Sequence, residues 1–85
     1  MSMLMQSQPF ALEQIYVPAK RRGTLDAAKV DEIAQSMLEN GQERPILVRR
    51  DGDRLVLVEG LHRLEAARAL GEATILGLLV QARKR

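Results

Sequence analysis

The sequence contains no cysteine among its 85 residues. Disulfides, thiolate metal sites and cysteine nucleophiles are therefore excluded. A secreted domain of this size usually needs disulfides for stability, so their absence favours the cytoplasm.

Aromatic residues and long apolar runs are also scarce. One Phe and one Tyr make up 2% of the chain, which argues against a platform on which nucleic-acid bases stack. No apolar run approaches the ~20 residues that cross a membrane. The first ten residues lack the features of a signal peptide, so we expect no membrane partner.

Apolar residues make up 46% of the sequence, which is typical of one small globular domain. The net charge of +2 is small, but the basic residues are clustered. Such clusters serve solubility or contact an anionic partner, and any DNA binding through them is expected to be non-specific and salt-sensitive. The clusters are Lys20-Arg21-Arg22, Arg49-Arg50 and Arg83-Lys84-Arg85.

Apolar spacing and turn residues predict a strand, a helix, two strands, a helix and a final strand. The first helix is capped by Thr24 or Asp26 and ends at Asn40-Gly41. Asp51-Gly52 predicts a type I′ hairpin turn, and the apolar last strand predicts burial on both faces. The predicted elements are a strand over 11–17, a basic loop over 19–23, a helix over 24–41, strands over 46–50 and 54–58, a helix over 61–70 and a strand over 74–80.

This order indicates the α/β (α+β) class, with a small mixed β-sheet and two helices packed on it. The expected organisation is a flexible N-terminal segment over 1–10, one domain over 11–80 and a basic tail over 81–85.

Gly60 joins the predicted strand over 54–58 directly to the predicted helix over 61–70. Glycine allows close approach to the backbone, and the first helical N–H groups favour an anion. His62 and Arg63 follow in the first turn, where a cation is mildly unfavourable. Either a carboxylate of Glu59 or Glu65 offsets this cost, or a bound phosphate does.

The segment VEGLHRLEAARALGEATI resembles the nucleotide-binding segment of the ParB/sulfiredoxin superfamily. Sulfiredoxins carry Gly-Cys-His-Arg where this chain has Gly60-Leu61-His62-Arg63, and ParB proteins carry Gly-Glu-Arg-Arg before an Ala-rich helix. GQERPILVRR is similar to the family's Gly-x-x-Gln-Pro-Ile-x-Val-Arg, with Arg44 in place of Gln. YVPAKRRGTL is similar to the family's early strand and basic loop. The resemblance extends from about residue 12 to residue 80.

The resemblance implies a small domain that binds CTP or ATP, with Mg²⁺ in ParB proteins. The phosphates would lie at Gly60, Leu61, His62 and Arg63, with further contacts from Arg44 and from Arg21 or Arg22. Sulfinic acid reduction is excluded, because Leu61 stands where sulfiredoxins have their cysteine. No helix-turn-helix module follows, so the expected role is that of a ParB N-terminal module, as in plasmid partition.

Four functions remain open from the sequence. The first is a nucleotide-binding regulatory module. The second is an enzyme, either a small-molecule kinase, an NTPase or a nuclease, in which Glu59 would act as base or hold Mg²⁺. The third is a non-specific DNA-binding protein, and the fourth a domain that has kept the fold and lost its ligand. A homodimer or another protein partner is compatible with all four.

Overall fold

The computed structural model describes residues 6–81. Met1–Met5 and the last four residues of the predicted basic tail lie outside this range. The described chain forms five strands, three α-helices and a 3₁₀ turn. These are β1 Gln8–Ala11, the 3₁₀ turn Leu12–Gln14, β2 Ile15–Tyr16, α1 Ala19–Arg22, α2 Ala27–Asn40, β3 Ile46–Asp51, β4 Arg54–Glu59, α3 Leu61–Ala69 and β5 Thr74–Val80.

The five strands form one mixed sheet in the order β1-β5-β3-β4-β2. β1 pairs antiparallel with β5, and β3 pairs antiparallel with β4. β3 and β5 are parallel, as are β2 and β4. The predicted α/β (α+β) class with a mixed sheet is therefore confirmed.

The single strand predicted over 11–17 is wrong. The structure has two short strands there, at opposite edges of the sheet, joined by the 3₁₀ turn. Leu12 and Ile15 are both buried although they are three residues apart, a spacing that a strand cannot place on one face. The sheet starts at Gln8, so residues 8–10 of the segment expected to be flexible form part of an edge strand, and Phe10 packs in the core.

The β3–β4 hairpin forms as predicted, but its turn is shifted by one residue. Asp51 pairs with Arg54, so the two loop residues are Gly52 and Asp53. Gly52 has φ 63°, and no non-glycine residue within 6–81 has a positive φ. A type I′ turn needs positive φ at both loop residues, whereas type II′ needs it only at the first. The turn therefore fits type II′, which also matches the twist of a hairpin.

The two long helices occupy different depths. α3 contributes four buried residues to the interior, Leu61, Leu64, Ala66 and Ala67. α2 has no fully buried residue and packs mainly against α3, with Met37 reaching the core. The predicted basic loop over 19–23 instead contains the one-turn helix α1.

The core lies between one face of the sheet and α3. Its fully buried centre is formed by Ile46, Val48, Leu57 and Leu64. The expected burial of β5 on both faces is wrong, because Ile75 and Gly77 are buried on one face while Leu76, Leu78 and Val80 on the other face are only half-buried. Helices cover only one face of the sheet, so the alternate positions of β5 stay partly open to solvent.

Among residues 6–81, no helix is both long and apolar enough to cross a membrane.

Candidate functional site

Gly60 forms the turn between β4 and α3 in a conformation that glycine alone adopts easily. Its φ of 112° and ψ of 31° lie in the left-handed region. A Cβ added there would lie 2.7 Å from Cγ2 of the fully buried Ile46. The glycine therefore lets the chain turn sharply into α3 while the turn packs directly on β3.

The turn leaves the first amides of α3 without a place in the helical ladder. The first bond of the helix runs from the Leu64 N–H to the Gly60 carbonyl, at 2.9 Å, and glycine offers no side chain to cap the end. The N–H groups of Leu61, His62 and Arg63 precede that bond. The Leu61 side chain is buried in the core, so only its backbone can take part in a site.

Arg63 and Arg44 lie next to each other beside this turn. Both line a cavity of about 300 Å³ and a smaller one of about 80 Å³, which Glu59 also lines. Partial burial lowers the pKa of Arg63, the neighbouring charge of Arg44 lowers it further, and Glu59 acts in the opposite direction. Two neighbouring guanidinium groups, of which Arg63 is half-buried and Arg44 exposed, favour an anion between them.

A side-chain amide fixes the loop that carries Arg44. The Gln42 Oε1 accepts a hydrogen bond from the Leu76 N–H at 2.9 Å, and its Nε2 donates to the Leu76 carbonyl at 2.8 Å. The same Nε2 donates to the Arg44 carbonyl at 2.9 Å. Gln42 thus binds β5 as a neighbouring strand would, and this holds Arg44 in place.

The 300 Å³ cavity lies between α2, the loop that follows it and α3. α2 contributes Ile33 and Ser36, the loop contributes Gly41 and Glu43, and α3 contributes Arg63. Small-molecule sites begin at about this volume. A hydroxyl and two guanidinium groups around a partly apolar wall suit a phosphorylated ligand.

His62 does not line up with Arg63. Its Nε2 accepts a hydrogen bond from the Asp26 N–H at 3.0 Å, which joins α3 to the residue that caps α2. Neighbouring residues on a helix point about 100° apart, so adjacent positions in the sequence reach different surroundings. The structure thus places His62 at the start of α2 and Arg63 beside Arg44.

Arg21 and Arg22 are also separate from Arg63. Both lie on the exposed helix α1. Arg22 lines a larger cavity of about 670 Å³, on the side of α3 where Leu61 and Tyr16 lie. The predicted set of site residues is thus divided among three places around the first turn of α3.

Glu59 is exposed at the end of β4, after an irregularity in the pairing of β3 with β4 near Leu47 and Val48. In the part of the chain from residue 6 to residue 81, no group of three or more acidic or histidine side chains could hold a metal ion. Mg²⁺ commonly binds through one or two carboxylates together with substrate phosphates. Glu59 fits that mode, because it is exposed and lies beside the two arginines that would hold the phosphates.

Ser36 and Gln42 were not among the predicted site residues. Ser36 is a half-buried polar residue among the apolar residues of α2. A polar residue at such a position could have indicated from the sequence that Ser36 belongs to a site. Gln42 offered no local signal, because its partner Leu76 is 34 residues away.

Most of the chain matches a known protein family. The family model for the ParB N-terminal domain matches residues 6–85. The chain belongs to the ParB N-terminal domain family.

Individual relatives agree with this family. The chain is 35% identical over 75 residues to a probable chromosome-partitioning protein ParB from Campylobacter jejuni, covering 87% of the chain and 27% of that protein. The chain thus spans about a quarter of the length of this curated relative.

Two solved structures are similar in fold. A sulfiredoxin from Arabidopsis thaliana has a TM-score of 0.81 and 30% identity, covering 89% of this chain and 85% of that one. A C-terminally truncated chromosome-partitioning protein ParB from Caulobacter crescentus, in complex with CTP-γ-S, has a TM-score of 0.77 and 26% identity. That match covers 92% of this chain and 46% of the other. The resemblance to the ParB/sulfiredoxin fold inferred from sequence is confirmed.

Proposed function

We propose that this ParB N-terminal domain is a nucleotide-binding regulatory module that holds the phosphates of CTP or ATP at the Gly60 turn. The observation that carries the proposal is the pairing of Arg44 with Arg63 beside the uncapped start of α3. Two like charges kept together, with lowered pKa at Arg63, gain most from a polyanion. The CTP-γ-S bound by the Caulobacter ParB domain supports the same ligand class.

In this arrangement the amides of His62 and Arg63 donate to phosphate oxygens, and the Arg63 guanidinium binds two oxygens of one phosphate. Arg44, beside Arg63 in the same cavity, binds the next phosphate. Mg²⁺, held by Glu59 and the phosphates, supplies charge neutralisation. Arg22 and Arg21, on α1, line neither of these cavities, and they are left to contact a neighbouring part of the ligand or a partner.

Calorimetry with CTP, ATP, GTP and ADP, with and without Mg²⁺, tests the proposal. We expect micromolar-to-millimolar binding that weakens at least about tenfold in Arg63→Ala, since charge-assisted bidentate bonds are strong. Arg50→Ala is the matched control, because Arg50 is an exposed arginine on β3. Failure of all four nucleotides to bind with Mg²⁺ present contradicts the proposal, as does an equal loss in both variants.

A second candidate function is nucleotide hydrolysis or phosphoryl transfer. It is favoured by Glu59, which lines the same 80 Å³ cavity as Arg44 and Arg63 and could accept a proton from a nucleophile. Phosphate release from CTP or ATP, abolished in Glu59→Gln with binding retained, supports this candidate. If the nucleotide binds but no phosphate is released, the regulatory module remains as the proposed function.

We place the module in the cytoplasm, because a secreted domain of this size usually needs disulfides and this sequence has no cysteine. By family analogy its further partners are DNA, contacted non-specifically through phosphates, and a second copy or another protein in partition.

A further inference from the structure

The contact between His62 and Asp26 concerns a predicted phosphate ligand of α3 whose side chain the structure places away from Arg63. The donor is a backbone N–H, which can only donate, so the Nε2 of His62 must accept and carries no proton. The ring proton then lies on Nδ1. An imidazole that binds phosphate does the opposite, because it donates an N–H.

Asp26 lies where α1 passes into α2. Its carboxylate Oδ1 accepts hydrogen bonds from the N–H groups of Ala28 and Lys29, at 3.0 and 3.5 Å. Its own N–H is committed to His62. One residue thus closes the start of α2 and joins it to the first turn of α3.

The same two helices line the cavity of about 300 Å³ in which we propose that the nucleotide binds. Ile33 and Ser36 lie on α2, and Arg63 lies on α3. Because α2 has no fully buried residue, packing alone fixes its position weakly. A hydrogen bond between its N-cap residue Asp26 and α3 therefore contributes to the width of that cavity.

We propose that His62 is a positioning residue rather than a phosphate ligand. Its unprotonated Nε2 joins α2 to α3 and so holds Ser36 opposite Arg63. This inference rests on the proposed function only for the use of the cavity. The contact itself can be tested with no nucleotide present.

Two substitutions separate the two roles of His62. Gln carries an oxygen acceptor at about the reach of Nε2 and has no positive charge, so His62→Gln keeps the contact. His62→Ala removes it. Glu72→Gln, an exposed residue between α3 and β5, is the control.

The first measurement uses the protein alone, by NMR. We expect the imidazole to carry its proton on Nδ1, and the Asp26 amide to exchange about fivefold faster in His62→Ala but not in His62→Gln or the control. Observation of a proton on Nε2 at neutral pH overturns the inference. An Asp26 exchange rate unaffected by His62→Ala overturns it as well.

The second measurement is nucleotide affinity. A positioning role predicts that His62→Gln binds within about threefold of the original protein and that His62→Ala loses about fivefold or more, the effect of one hydrogen bond. A direct phosphate contact predicts equal losses in both variants and overturns the inference. If the original protein binds no nucleotide, the proposed function fails, and the NMR result alone decides the role of His62. Circular dichroism melting establishes that each variant is folded.

Discussion

The two long helices of this domain begin in different ways. At the start of α2, the Asp26 carboxylate accepts from the amides of Ala28 and Lys29. At the start of α3, Gly60 supplies no side chain, and the basic Arg63 follows in the first turn. The first end is satisfied within the protein, whereas the second keeps donors and positive charge together. The comparison indicates that the capped start of α2 stabilises the fold, whereas the uncapped start of α3 suits an anionic ligand.

The largest expected effect is that of Gly60→Ala. We expect the free energy of unfolding to fall by about 3 kcal/mol, because the new Cβ combines a left-handed φ with a clash at Ile46. Urea denaturation measures this. Gly71→Ala is the matched control, since Gly71 has φ 78° but no atom within 4 Å of an added Cβ, and it should lose only about 1 kcal/mol. Equal losses would show that the approach to Ile46 is unimportant.

Removal of the cap of α2 has the next largest effect. Asp26→Ala should lower the free energy of unfolding by about 1 kcal/mol, as loss of an N-cap commonly does. Asp31→Ala, on an exposed position of the same helix, should change it by less than about 0.5 kcal/mol. The comparison between the helices would fail if the two substitutions had the same effect.

At α3 we expect removal of a charge to stabilise. The pKa of Arg63 is lower in the folded protein than its ordinary value, chiefly through burial. A base with a lowered pKa opposes folding wherever it is charged, which includes neutral pH. Arg63→Met keeps most of the apolar stem and should raise the free energy of unfolding by about 0.5 kcal/mol at low salt. A loss measured by thermal or urea unfolding would show that the charge supports the helix instead.

The smallest effect is expected at the far end of the same helix. Arg68 and Glu65 form an ion pair at 3.4 Å, with the Arg68 side chain about half exposed. Arg68→Ala should lower the free energy of unfolding by about 0.3 kcal/mol, and high salt should remove most of the difference. A salt-independent loss of 1 kcal/mol or more would contradict this weak, exposed role.

The elements that the sequence predicts well are those with a strong local signal. The helix ending at Gly41 and the last strand carry clear apolar spacing, and the hairpin carries a glycine turn. The segment from Gln8 to Tyr16 has no such signal, because its two strands pair with β5 and β4, which lie far along the chain. Only the three-residue spacing of Leu12 and Ile15 indicates that a single strand does not form.

The candidate site was predictable in its centre and not in its surroundings. Gly60 and Arg63 follow from a strand-to-helix junction that can be read locally. The roles of Gln42 and His62 depend on partners 34 and 36 residues away, and no local pattern contains that information. Adjacent positions in one helical turn, such as His62 and Arg63, therefore received the same role from sequence although they reach different surroundings.

The pairing of β1 with β5 affects how the polypeptide is made. Gln8–Ala11 leave the ribosome early, but the strand against which they pair, Thr74–Val80, is synthesised some sixty residues later. Until then β3 and β4 can form their hairpin, while the backbone N–H and C=O groups of β1 stay unpaired with β5 and bind water. The sheet can therefore be completed only after β5 has been synthesised, and Phe10 pairs with Ile75 only when that strand has emerged.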